Sequence, residues 1–148
     1  MERKIDELDT NIIRLLSKDG RMSFTEISNR LEVTEKTVRT RYKSLIEDDI
    51  IDIVGVVNPI SLGLNVSAIV QISAGANYLE KIIQQTRKYK EVRYISLITG
   101  EYQLYLQVNV KDYQELTSFI KQLNLIEGVT KCNTMVQLEV NKNSHEII

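Results

Sequence analysis

Lys36, Arg39, Thr40 and Lys43 fall at i, i+3, i+4 and i+7, the spacing that gathers side chains on one face of a helix. Arginine and lysine can meet phosphate oxygens or the O6/N7 edge of guanine, and threonine can contact either bases or phosphates. Val38, Tyr42, Leu45 and Ile46 form the opposite, apolar stripe that would seat the helix on a core. Thr34 is a good cap for its start, with Glu35 and Thr37 in the first turn. The unpaired amides there, and those of a helix beginning after Ser23, are natural receptors for phosphate. Arg21 precedes that second helix and adds a cation. The candidate nucleic-acid contacts are therefore Arg21, Ser23, Thr34, Glu35, Lys36, Thr37, Arg39, Thr40, Arg41 and Lys43. Arg41 lies at the edge between the faces and is equally able to pair with a helix carboxylate such as Glu47. A basic stripe by itself is also what a solvated helix face looks like, so the surrounding elements carry the weight.

Those elements read as three short helices. Leu8, Ile12, Leu15 and Leu16 share a face of the first, with Asp6 or Asp9 as cap and Asp19-Gly20 as stop, the glycine taking a left-handed conformation. Ser23-Phe24-Thr25-Glu26 has the pattern of a capping box, which starts the second helix near Phe24, with Ile27 and Leu31 inward. Glu32-Val33 leaves room only for a tight turn before the basic helix. A short helix, a tight turn and a capped basic helix are the parts of a helix-turn-helix. Ile50 to Val57 is β-branched and predicts a strand, stopped by Asn58-Pro59.

Beyond a linker at 60–64 the period changes. Val66, Ala68, Val70 and Ile72 alternate with polar residues as a half-buried strand; Leu79, Ile82, Ile83 and Thr86 form a helical stripe. A strand over 92–98, a turn at Thr99-Gly100-Glu101 and an alternating strand through Leu104, Leu106, Val108 and Val110 follow. Tyr113, Leu116, Ile120 and Leu123 mark a second helix, and Thr134, Val136, Leu138 and Val140 a last strand. The order β-α-β-β-α-β predicts a ferredoxin-like sheet with both helices on one face. Ile69, Tyr105 and Met135 fall on the other face, which suggests a partner. The predicted fold is thus α+β: a winged-type helix-turn-helix (1–50), a strand and linker (51–64), a ferredoxin-like domain (65–140) and a polar tail (141–148).

Composition narrows the chemistry. The 148 residues are 43% hydrophobic and 26% charged, a globular balance, with a net charge of −1. A net charge that small is mild counter-evidence to nucleic-acid binding, and only a local basic patch answers it. Cys132 and His145 are the only residues of their kinds, so no internal disulfide and no Cys/His zinc cage is expected. No metal, cofactor or catalytic site is expected. No apolar run approaches the ~20 residues that span a bilayer, and the charged start lacks a signal-peptide core. The expectation is a cytoplasmic protein.

Taken together, the chain resembles the Lrp/AsnC, or feast/famine, regulators over about residues 5 to 140. The matching residues are Leu8-Asp9, Gly20-Arg21-Met22-Ser23, Thr34-x-x-Thr37-Val38-x-x-Arg41-Tyr42-x-x-Leu45, Ile50-Ile51, Asn58-Pro59, Leu62-Gly63 and Thr99-Gly100-Glu101-Tyr102. The resemblance implies a sequence-specific transcriptional regulator that binds double-stranded DNA as a homodimer, with dimers joining into tetramers or octamers. It also implies an amino-acid effector near Thr99, Gly100, Glu101, Tyr102 and Gln103. Two residues depart from the pattern: Glu32 stands where the helix-turn-helix turn usually has glycine or asparagine, and Gln103 where the effector turn usually has an acid. A plain hairpin is the alternative for that turn. The alternatives for the whole are a weakly specific architectural DNA-binding protein, a sensor module that no longer contacts DNA, and an enzyme resembling siroheme decarboxylases. The last would have only His145 for its proton chemistry.

Overall fold

The computed structural model describes residues 4–143, which divide into two compact units, one up to Val56 and one over Val57–Asn141. Each is described by itself.

The first unit holds α1 (Glu7–Lys18), α2 (Phe24–Leu31) and α3 (Glu35–Glu47). Asp6 caps α1, and a reciprocal box forms with Asp9 in place of the usual Glu. Ser23 caps α2 by accepting from the Glu26 amide at 3.1 Å, but the second half of the predicted box is missing. The Glu26 carboxylate instead takes Arg30 at 2.6 Å, one turn on. Ile12, Leu16, Ile27, Val38 and Leu45 are the buried core, with Leu8, Leu15, Phe24 and Tyr42 packed around it. Gly20 is not left-handed as predicted, since its φ is not positive. It matters for space instead, because an added Cβ would stand 3.3 Å from the Ile53 side chain.

The strand predicted over 50–57 does not form. Residues 51–58 have no regular structure, and Val54 is 72% exposed, with Val56 and Val57 also open. A strand exists only against another strand, and among the described residues this unit supplies none. Among the described residues the expected wing strand therefore does not form.

The second unit begins with a 3-10 turn (Ile60–Leu62) and continues as β1 (Val66–Ala74), α4 (Leu79–Thr86), β2 (Val92–Leu97), β3 (Leu104–Val110), α5 (Tyr113–Asn124) and β4 (Val129–Val136). The sheet is antiparallel in the order β2-β3-β1-β4, the expected ferredoxin-like arrangement. Alternation decides the faces: Ala68, Val70, Ile72, Leu104, Leu106 and Val108 are buried with Ile82, Phe119 and Leu123 from the helices. Asp112 caps α5 by accepting from the Glu115 amide. On the other face Ile69 lies between Gln107 and Met135, and Tyr94 meets Tyr105 edge to face.

β4 begins five residues and ends four residues earlier than its alternation predicted. Val136 pairs with Ala68 and Val129 with Ala74, while Leu138 is 95% exposed. Gln137 still donates to the Ser67 carbonyl at 2.9 Å, and the pairing stops there, so Leu138 leaves the sheet although Val66 stands opposite it in register.

Candidate nucleic-acid interface

Two kinds of contact hold α3. Val38 and Leu45 are fully buried, and Tyr42 packs against Phe24 of α2 in a tilted pair with ring centroids 5.0 Å apart. The second contact is ionic. The Arg41 guanidinium reaches Asp6 at 2.7 Å and both oxygens of Asp9 at 3.3 Å. Asp9 is fully buried, so its partner is the cation that makes its burial tolerable. Arg41 thus ties α3 to the start of α1, and Glu47 pairs with Lys43 instead. A signal was present in the sequence: Asp9 shares its helix face with Ile12 and Leu16, and an acid in an apolar stripe demands a cation.

The outward face carries Lys36, Arg39, Thr40 and Lys43, all exposed. Arg39 donates to Glu35 at 2.8 Å and lies over the Phe24 ring, 5.1 Å from its centroid. The Thr40 hydroxyl donates back to the Lys36 carbonyl at 2.9 Å. Thr34 caps α3 by accepting from the Thr37 amide at 3.1 Å, and the two hydroxyls lie 2.8 Å apart. Glu35 accepts from the Thr25 hydroxyl at 2.9 Å, a link between α2 and α3 that spacing alone does not reveal. These hydrogen bonds, first from Thr25 and then from Arg39, hold the Glu35 carboxyl below its ordinary range. Arg21 and Ser23 stand exposed at the start of α2, and the α2–α3 turn passes through Glu32 in a left-handed conformation, φ 54° and ψ 40°. The turn has the shape glycine would give it, although the residue is Glu.

The turn between β2 and β3 places Thr99 and Gly100 in solvent, with Gly100 at φ +114°. Glu101 pairs with Lys131 at 2.8 Å, which raises the Lys131 ammonium above its usual value. Tyr102 and Gln103 are half-buried. The Gln103 side chain accepts from the Ala74 amide at 3.1 Å and donates to the Gly100 and Glu101 carbonyls at 3.4 and 3.2 Å. An amide can do both; a carboxylate can only accept. Gln103→Glu is expected to cost about 1 kcal/mol at neutral pH, because two carbonyls would face a charge that cannot donate. The new carboxyl would titrate above its unfolded value, so the loss shrinks as pH falls and the protonated group donates again. Equal losses in denaturant melts at pH 7 and pH 4 would refute this account.

His145 lies outside the described residues. Among the described residues no group of three or more His, Cys, Asp or Glu side chains is placed to hold a metal ion. None of their helices is long and apolar enough to cross a membrane.

Comparison with known proteins agrees with both units. The AsnC-type helix-turn-helix domain matches residues 5–46, and the Lrp/AsnC ligand binding domain matches residues 67–147. An uncharacterized HTH-type transcriptional regulator of Pyrococcus horikoshii is 35% identical over 141 residues, covering 94% of this chain and 89% of its own. Among solved structures, a transcriptional regulator of Neisseria meningitidis in complex with L-Met superimposes with a TM-score of 0.90. It is 24% identical and covers 96% of this chain and 95% of its own. AsnC of E. coli gives 0.88 at 22% identity, covering 95% and 97%. At these identities the structures establish the fold.

Proposed function

The chain belongs to the Lrp/AsnC family of transcriptional regulators, and from that premise we propose that it binds a two-fold symmetric operator as a homodimer through α3, under control of an amino acid. One observation carries the DNA contact. The inner face of α3 is fixed in a core while Lys36, Arg39, Thr40 and Lys43 stand together in solvent. Their local charge answers the net charge of −1, because the field near a surface is set by nearby groups. In a dimer the paired helices would enter successive major grooves, one DNA turn apart. Arg21, Ser23 and the first-turn amides of α2 and α3 supply phosphate contacts, while Arg41 serves to orient the helix.

The sheet face bearing Ile69, Tyr94, Tyr105 and Met135 supports a second copy as its cover, and further assembly to tetramers or octamers rests on family likeness alone. The ligand binding domain matched over 67–147, and the L-Met bound by the Neisseria protein, support an amino acid as the effector class. We place that site at Thr99–Gln103, with Glu101 as its acid. Such a regulator works where the DNA is, which we take to be the cytoplasm.

Selection of bound fragments from random DNA, with and without each amino acid, tests the whole reading. Within it, Arg39→Ala with Lys43→Ala is expected to weaken operator binding roughly tenfold and to flatten its salt slope by about one, since fewer counterions are released. Unchanged affinity and slope in that double variant would remove α3 from the interface.

A further inference from the structure

Glu35 is an acid at the mouth of a surface meant to meet phosphates, and although its position makes it a candidate contact, its charge is the wrong sign for one. Both of its oxygens are engaged: one accepts from Thr25 at 2.9 Å, the other from Arg39 at 2.8 Å. Arg39 is held on another side by the Phe24 ring, which itself packs in a tilted pair with Tyr42. An exposed ion pair one helical turn apart contributes little to stability, so stability is a poor reason for this arrangement. Its effect is on conformation. A long, rotamer-rich side chain is confined before any DNA arrives. We propose that Glu35 is a specificity-determining residue that acts through Arg39, fixing the guanidinium in one pose for a guanine edge and withholding it from phosphates. The inference rests on the DNA-binding reading of α3.

The physical argument has two parts. On a random duplex, an untethered arginine swings to the nearest phosphate, a contact that carries no sequence information. Here that swing would break the Glu35 bond and uncover Phe24, and the negative charge of Glu35 itself repels the backbone. At a matching site, the N–H groups that Glu35 does not use stay free for O6 and N7, with the ordering already done. Thr25 keeps the carboxylate from following Arg39 outward. Ionisation of Glu35 at neutral pH agrees with this, since both hydrogen bonds favour the charged form.

Fluorescence anisotropy with the selected operator and a scrambled duplex, at several salt concentrations, tests the proposal on the full chain. Glu35→Gln keeps the size and the Thr25 bond but loses the grip on Arg39. It is expected to bind scrambled DNA about threefold more tightly, with a salt slope steeper by about one, as Arg39 takes a phosphate. Operator binding weakens at the same time, so the ratio of the two falls roughly tenfold. Thr25→Val leaves every charge in place and is expected to lower the ratio about threefold. It also decides the matter if Glu35→Gln melts early. Equal strengthening of both duplexes by Glu35→Gln would make Glu35 a mere repelling charge and overturn the proposal. So would an unchanged ratio in both variants. A wild-type chain that prefers no duplex at all would overturn the regulator reading itself, a result distinct from either.

Discussion

Gly128→Ala is expected to destabilise the second unit by about 3 kcal/mol or more, combining backbone strain with a clash that cannot relax. Gly128 sits at φ +91°, where an L side chain is strained whatever the space around it. An added Cβ would also stand 2.2 Å from Cγ and 2.3 Å from Cβ of Tyr78. Those atoms lie at the root of the tyrosine, so no ring rotation removes them. Backbone movement is opposed too, because the Gly128 carbonyl accepts from the Gly75 amide at 3.2 Å, closing the loop before α4 onto the start of β4. Gly63 is the control: its φ is +79°, and nothing lies within 4 Å of an added Cβ. Gly63→Ala should therefore show the strain alone, about 1 kcal/mol. Denaturant melts of both variants check this, and equal losses would refute the clash.

Arg41→Ala is expected to cost the first unit about 2 to 3 kcal/mol, the price of leaving a buried carboxylate without its cation, scaled down because Arg41 itself is partly exposed. Asp9 is fully buried and Asp6 is not, so Asp9 dominates the loss. The loss should be strongly non-additive. Removing the charge by Asp9→Asn first leaves little for Arg41→Ala to disturb, so a double-mutant cycle should give a coupling of about 1 kcal/mol or more. Operator affinity should fall in Arg41→Ala beyond what the melt explains, because α3 loses its tether to α1. Additive losses across the cycle would show that Arg41 and Asp9 do not depend on one another.

Much of this molecule is legible before any coordinates. Thr34, Ser23 and Asp112 announce the helices they cap, because a cap needs only residues within one turn of itself. The alternation of Val66–Ile72 and Leu104–Val110 fixes which residues enter the core, since a strand has only two faces. The basic face of α3 follows from periodicity in the same way. What spacing misreads is what depends on a neighbour distant in sequence. Ile50–Val57 has every local property of a strand and no partner strand among the described residues. Leu138 and Val140 continue the alternation past the point where pairing with β1 stops. Phe119 enters the core beside a stripe read as Tyr113, Leu116, Ile120 and Leu123, while Tyr113 stays in solvent.

The side-chain partnerships divide along the same line. Arg41 was open between DNA and Glu47 in the sequence, and it is taken by Asp6 and Asp9, more than thirty residues away. Glu35 reads as one more polar residue of a first turn until Thr25 and Phe24 are brought beside it. Gln103 reads as a departure from a pattern until Ala74 offers an amide to its oxygen. Read alone, the sequence sets the helices, the core faces of β1 and β3 and the cationic surface, because these follow from interactions a few residues long or from a period of two or 3.6. Only the tertiary structure decided which charges are spent inside the protein and which remain for a ligand, because ion pairing depends on distance in space, and the chain sets that distance only once it is folded.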